Sequence, residues 1–254
     1  MTTSLAINPR ESGPSNPGAR LGATRLLDFE HPTLQQLCRT RQWDQLLEFD
    51  RIGAIYDFVR NEIPFGYNLS DDLPASQVLA DGLGQCNTKG TLLMALLRAS
   101  GIACRFHGFT IDKKLQRGAI TGLAYLLAPR SILHSWVEVW FDGRWVNLEG
   151  FILDQAYLTA LQQRFAGRQA FCGYGAATSN LANPPVRWEG RSTYIQKEGI
   201  NADLGVFDAP DDFYRRFGTN LRGLKRWLFA HVVRHQMNHN VARLRARLRA
   251  SHSS

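Results

Sequence analysis

Apolar residues along this chain follow two rhythms. From Trp43 to Arg60 they recur at three- and four-residue steps (Trp43, Leu46, Leu47, Ile52, Ile55, Tyr56, Val59), which lines one face of an α-helix, and Pro64 prevents that helix from continuing. The next stretch, IPFGYNLSDDLPASQVLADGLG, is rich in turn formers and reads as a loop holding one short helix. After Cys86 the positions Leu92 to Leu97 are apolar on nearly every side, which predicts a central, buried helix, and Gly101 just past its end can take a left-handed cap. The period then shortens. IACRFHGFTI reads as a strand, and HSWVEVWF and RWVNLEG read as two strands joined by an Asp142-Gly143 turn. Helices followed by an antiparallel sheet predict an α+β domain. Between residues 155 and 214, stretches such as CGYGAATSNLANPPVRWEG give only a loose expectation, that this segment wraps the domain. Ala230, Val233, Met237, Val241, Leu244 and Leu248 predict a long last helix with one apolar stripe, and no internal repeat is visible.

The 254 residues, 44% of them hydrophobic, allow one large domain or two small ones, with a sizeable core. No run approaches the roughly 18 to 20 apolar residues of a membrane span, and MTTSLAINPRESGPSNPG lacks the layout of a secretory signal, so a cytoplasmic protein is expected. Residues 1–20, rich in Ser, Pro, Gly and Asn, are expected to form a disordered tail. A domain at 21–214 and a basic helical extension at 215–254 complete the expected organisation. The net charge of +8 sits in that extension: ten of the 30 basic residues lie after Asp212 with no acidic residue among them, leaving 20 basic against 22 acidic before it. Such a helix either packs on its own domain with solvated arginines or docks on an acidic partner. Phosphate-cradling and nucleotide motifs are absent, and nucleic acid is not an expected partner.

Four cysteines (Cys38, Cys86, Cys104, Cys172) are spread without a C-x-x-C pair, so free thiols are expected and neither a metal site nor a cofactor is indicated. Cys86 stands where a glycine-bounded loop enters the apolar helix. Unpaired N–H groups and the dipole at a helix start favour a thiolate, and the same N–H groups can receive an oxyanion. On position alone a packed thiol is the better fit. In the hairpin, a two-residue turn pairs Phe141 with Arg144, Val139 with Val146 and Trp136 with Glu149. His134, Trp136, Trp145 and Glu149 then share a face. His134 and Glu149 become diagonal neighbours across the two strands, within reach of a side-chain hydrogen bond. A carboxylate on one ring nitrogen fixes the tautomer and leaves the other nitrogen for a thiol. A plain cross-strand surface pair is the alternative.

The blocks GQCNTKGTLLMALLRASGIACR, HSWVEVWF and GRWVNLEG, in that order between about Ile55 and Gly150, resemble the core of the transglutaminase-like superfamily, relatives of the papain-like cysteine peptidases. The resemblance implies a papain-like α+β fold, with the buried helix carrying its cysteine at the N-terminus and packed on an antiparallel sheet. It also implies roles: Cys86 as nucleophile, His134 as general base and acid, and Glu149 as the orienting acid. The family usually has Asp where this chain has Glu149, and the second oxyanion donor, Gln85 or Asn87, stays open. The expected function is cysteine-dependent acyl transfer at an amide or thioester of a peptide, protein or small molecule, with hydrolysis ahead of amide-forming transfer. A binding module with lost catalysis and a basic partner surface is the alternative of another class. His107 has no evident carboxylate partner and reads as packing; Cys104 reads as a core thiol, and Cys172 carries no signal. His231, His235 and His239 line up at i, i+4, i+8 on the solvated side of the last helix without further ligands.

Overall fold

The computed structural model describes residues 22–221 and 223–251. The tail expected at residues 1–20 and the side chain of Leu248 lie outside the described residues. Helix α1 (Pro32–Arg41) opens the described chain, with proline in its first turn and the His31 side chain accepting from the Thr33 N–H. Only Leu34 of α1 is buried, so its sequence carries no apolar stripe to announce it. The helix expected over 43–60 is divided. Trp43–Gln45 form a single 3₁₀ turn, Leu46 and Leu47 are extended and exposed, and α2 runs Glu48–Asn61. Arg51 stabilises the break by donating to the carbonyls of Asp44 and Leu46, which are therefore turned away from helical partners. The short helix expected in the following loop is α3 (Ala75–Asp81).

Helix α4 (Cys86–Ala99) is the centre of the molecule, buried from Cys86 to Arg98. Leu92, Leu93, Met94, Leu96 and Leu97 are fully buried, each contributing roughly 1.5–3 kcal/mol relative to exposure. Gly101 (φ 77°) closes the helix in the left-handed region, as expected. Strands β1 (Cys104–Asp112), β2 (Ser131–Phe141) and β3 (Arg144–Leu148) follow, with a short helix α5 (Gly122–Leu127) before β2. The β2–β3 register pairs Phe141 with Arg144 and Val139 with Val146. Asp142 (φ 50°) and Gly143 (φ 72°) are both left-handed, the type I′ turn that suits strand twist.

Past β3 lie α6 (Gln155–Arg164), the small hairpin β4 (Phe171–Gly173) and β5 (Ala176–Thr178), strand β6 (Ile200–Phe207) and α7 (Pro210–Phe217). Strand β6 pairs antiparallel with β1 and completes a sheet of order β3-β2-β1-β6. The fold is α+β, as the two rhythms of the sequence predict. Gly108 of β1 is required by this packing: a Cβ there would lie 2.3 Å from the ring of Phe213 on α7.

The last helical stretch is α8 (Gly223–Leu228), a π-helical turn at Phe229–Val233, and α9 (Arg234–Ser251). Met237, Val241 and Leu244 of the expected stripe are buried against the domain. Polar clamps fix the register: the Asn238 amide accepts from the Tyr67 N–H (2.7 Å) and donates to the Tyr67 carbonyl (3.0 Å). Arg245 pairs with Asp154, whose carboxylate also caps α6 through the Tyr157 N–H (2.9 Å) and accepts from the Phe65 N–H (2.8 Å). Burial opposes ionisation of Asp154, but the Arg245 hydrogen bond and charge with the two backbone donors hold its carboxyl below the usual carboxylate range. Asp154→Ala is expected to cost about 3 kcal/mol, the low end for a broken buried pair because Arg245 keeps part of its surface in water. A depressed carboxyl contributes above the unfolded pKa and loses its contribution as pH falls. The difference in thermal midpoint between wild type and variant should therefore narrow below about pH 4. A gap that persists unchanged to pH 3 would remove the ion pair as its cause.

Candidate active site

Cys86 is the first residue of α4, and the neighbouring side chains explain how it is held there. The Thr88 hydroxyl accepts from the Gln85 N–H (3.1 Å), tying the entry of the chain to the first turn. The Asn87 amide then fastens the helix start to β2 on both sides of His134. Its nitrogen donates to the Leu133 carbonyl (3.2 Å), and its oxygen accepts from the Ser135 hydroxyl (2.9 Å). The thiol at Cys86 and the ring at His134 thus belong to two elements stitched together one residue away from each.

His134 is fully buried, and its Nε2–H donates to Glu149 Oε1 at 2.8 Å. A carboxylate can only accept, so this bond fixes the tautomer and turns Nδ1 to other work. That buried Nδ1 has no well-aligned hydrogen-bond partner. Burial alone would lower the imidazole pKa. The charge and hydrogen bonding of the Cys86 thiol, followed by the hydrogen bond and charge of Glu149, outweigh it and raise the pKa to about 9. The direction agrees with the geometry: a carboxylate bonded to a buried imidazole favours imidazolium.

Glu149 is also fully buried, at the end of β3 beyond its last ladder pair. Its Oε2 accepts from three consecutive backbone N–H groups, Ile195 (2.8 Å), Gln196 (2.9 Å) and Lys197 (3.1 Å). Three donors satisfy a carboxylate that would otherwise be costly to bury, and they leave Oε1 to His134. The extra methylene relative to aspartate is what spans from β3 to this segment. Rings shield the histidine: Phe109 lies 6.3 Å from His134 and 4.1 Å from Trp136 between centroids.

The structure joins His134 to Glu149 by a hydrogen bond and ties the helix start at Cys86 to β2 on both sides of His134, and it gives the environments of Gln85 and Asn87. Asn87 Nδ2 has acceptors for both of its hydrogens, the Leu133 carbonyl and Asp71 Oδ1 (3.4 Å), so it positions rather than waits for a ligand. Gln85 Nε2 donates once, to Asp71 Oδ1 at 3.1 Å, and keeps a second N–H. Asp71 organises this corner, since it also accepts from Asn220 (2.8 Å), whose own oxygen takes the Leu133 N–H at 2.6 Å. Neither Asp71 nor Asn220 stands out in the sequence, because both are polar residues in loops far apart along the chain.

The expectation for His107 needs correction. It has carboxylate partners on both nitrogens, Glu138 at 2.6 Å and Asp203 at 3.0 Å. Burial opposes its protonation, and these two carboxylates outweigh it and raise its pKa. Glu138 comes from the neighbouring strand, two residues beyond Trp136, the direct partner of His107, and Asp203 from β6, a strand the sequence did not announce. With both nitrogens engaged, His107 has none left for a thiol. Cys104 is a core thiol as expected, fully buried and pushed up to about 11 by burial. His231, His235 and His239 are exposed, and among the described residues no group of three or more His, Cys, Asp or Glu side chains could hold a metal ion. No helix among the described residues is long and apolar enough to cross a membrane.

Residues 36–150 match the model of the transglutaminase-like superfamily. Over that stretch the chain is similar to a transglutaminase-like core. That core spans from α1 to the glycine after Glu149 and so contains all three residues of the buried constellation, which supports cysteine-dependent activity in general terms. Among solved structures, the chain is similar to the crystal structure of a candidate cysteine protease from Cytophaga hutchinsonii, with 15% identity and a TM-score of 0.43. The likeness covers 76% of this chain and 47% of that one, so the present chain spans about half the length of that protein. A comparison with curated proteins finds no match. The segment that supplies the three N–H donors to Glu149, residues 195–197, lies outside the transglutaminase-like core as matched.

A cavity of about 390 Å³ opens beside the thiol, with Gln85, Cys86 and Asn87 in its wall. Asn220, Leu228, Phe229, Val233 and Met237, from the loop and helix that precede and begin α9, also line it. Cys86 itself is 8% exposed and lines this cavity.

Proposed function

We propose that this protein cleaves an amide or thioester through a covalent acyl-enzyme on Cys86. The observation that carries the reading is the buried His134, bonded through Nε2 to a Glu149 carboxylate that three backbone donors hold still, with its other face influenced by the Cys86 thiol. In the first step the Cys86 sulfur attacks the substrate carbonyl carbon and a C–S bond forms. The oxyanion is received by the Cys86 N–H, which opens α4 and has no intrahelical acceptor, and by the second N–H of Gln85. The C–N or C–S bond to the leaving group then breaks, and imidazolium His134 gives that group its proton. In the second step water adds to the acyl carbon, His134 takes the water proton, the C–S bond breaks and a carboxylic acid leaves. Glu149 and Asn87 act by positioning. Water as acceptor is the reading favoured, because an amine acceptor would need a recognition site of its own and none is assigned.

The reading is tested by a thiol-directed probe. Iodoacetamide at pH 7 is expected to label Cys86 at least tenfold faster than Cys38, Cys104 or Cys172, each of whose thiols is pushed up by burial. His134→Ala should erase the preference. Slow and equal labelling of all four, resolved by peptide mass, would favour a binding module built on the same fold.

A further inference from the structure

We infer that the substrate's acyl group is a hydrocarbon chain, housed in the cavity beside Cys86; this deepens the acyl-transfer reading above and rests on it. Around Cys86, the side chains of Gln85, Asn87 and Asn220 are already bonded to Asp71. Most of the exposed wall is nonetheless hydrocarbon, from Phe65, Ile120 and Ile132 of the domain and Phe229, Val233 and Met237 of the last helical stretch, with Gln116, Gln196, Gln236, Lys225 and Arg226 the main polar residues among them. The surroundings of Cys86 suit a carbonyl, and the hydrocarbon wall suits an alkyl chain attached to it.

A peptide does not match this wall. Each of its residues brings an N–H and a C=O that lose water on entry and need partners, and a mostly apolar wall with few polar side chains leaves most of them unpaired. An alkyl chain has no such groups, and each methylene it buries is favourable. The volume of about 390 Å³ lies in the range of small-molecule sites. The wall is also held firmly. Asn220 grips Leu133 and Asp71 at one side of the cavity, and Asn238 grips the Tyr67 backbone at the other. The π-helical turn at Phe229–Val233 falls where the helix lines the cavity and re-aims Phe229 and Val233 relative to a regular α-helix. The chain lies on the acyl side of the scissile bond, because the group that remains attached to sulfur while the leaving group departs needs the enclosed space.

The experiment uses the full chain and p-nitrophenyl esters of acetate, butyrate, hexanoate, octanoate and decanoate. Acylation is followed as the nitrophenolate burst, and the adduct is assigned to Cys86 by peptide mass. The second-order rate constant is expected to climb with chain length, by up to about fourfold per methylene (~0.8 kcal/mol each), until the cavity is full. Val233→Trp, which places an indole in the cavity, should flatten that climb. Because a variant can fail to fold, a second measurement uses wild type alone: decanoate should slow iodoacetamide labelling of Cys86 and leave Cys172 unaffected. A rate that is flat or falls with chain length, while acetate still forms the Cys86 adduct, would overturn the hydrocarbon inference and leave acyl transfer standing. If no ester forms an adduct at Cys86, acyl transfer itself fails and takes the inference with it.

Discussion

Replacing His134 by alanine is expected to slow acylation of Cys86 by about 10⁵- to 10⁶-fold, the scale on which removal of one member of a coupled nucleophile and base acts. Two losses combine in that number. The sulfur loses the neighbouring imidazole, and the leaving group loses the proton donor that the buried site holds in place for it. The measurement is the single-turnover rate with an activated ester, with circular dichroism and thermal midpoint as controls for folding. An activated leaving group needs no proton, so the deficit should be smaller for a p-nitrophenyl ester than for an anilide of the same acid. A variant that retains activity within tenfold on the anilide would remove His134 from the chemistry.

The same residue sets the expected pH dependence. A pKa raised to about 9 means that imidazolium persists through neutral pH and is lost as pH rises through that value, so the basic limb of the rate profile should fall near pH 9. For stability the sign is the same: the charged ring contributes below its unfolded pKa of about 6.5 and ceases to contribute above about 9. Cys86 is the foremost group raising this pKa against burial. Its removal in Cys86→Ala should let burial lower the ring's titration, which nuclear magnetic resonance of the imidazole protons reads directly. A titration that stays near pH 9 in that variant would show that the thiol and the ring do not interact.

Legibility in the sequence divides along physical lines. Helix α4 was legible because an element buried on all sides must be apolar on all sides, and the hairpin because a type I′ turn fixes register and register fixes which side chains meet. The pairing of His134 with Glu149 came from that register. The grip on Glu149 Oε2 did not, because backbone N–H groups of residues 195–197 are the same whatever side chains they carry. Nor did the partners of His107: Asp203 stands on β6, whose side chains are mostly exposed or half-buried and so show no apolar alternation. The stripe of α9 was legible as a packed face, yet the cavity beneath the preceding turn was not. It depends on Asn220 and Asn238, loop-type residues in the sequence, finding backbone partners more than eighty residues away.

The Glu149 carboxylate allows a sharp test of how its length serves the site. Aspartate, one methylene shorter, is expected to function worse here than glutamate. Shortening the side chain withdraws the carboxylate by about 1.5 Å, one bond length. It cannot then stay at 2.8 Å from His134 Nε2 and also within reach of the three N–H groups at 195–197, since hydrogen bonds are lost beyond about 3.5 Å. Glu149→Asp should lower kcat/KM by about 10²-fold and also lower the thermal midpoint, because one set of buried partners is left unpaired. Glu149→Gln separates the two effects. The three N–H donors compel the amide to present its oxygen to them, so its NH₂ faces His134 Nε2. Nε2 must then accept, the proton moves to Nδ1, and the ring can no longer take a proton from the thiol. The expected loss is about 10⁴-fold in kcat/KM, with a thermal midpoint close to that of wild type since shape and backbone bonds are kept. Activity that falls only in step with stability across the two variants would reduce Glu149 to a packing role; activity that collapses in Glu149→Gln at preserved stability assigns it the tautomer of His134.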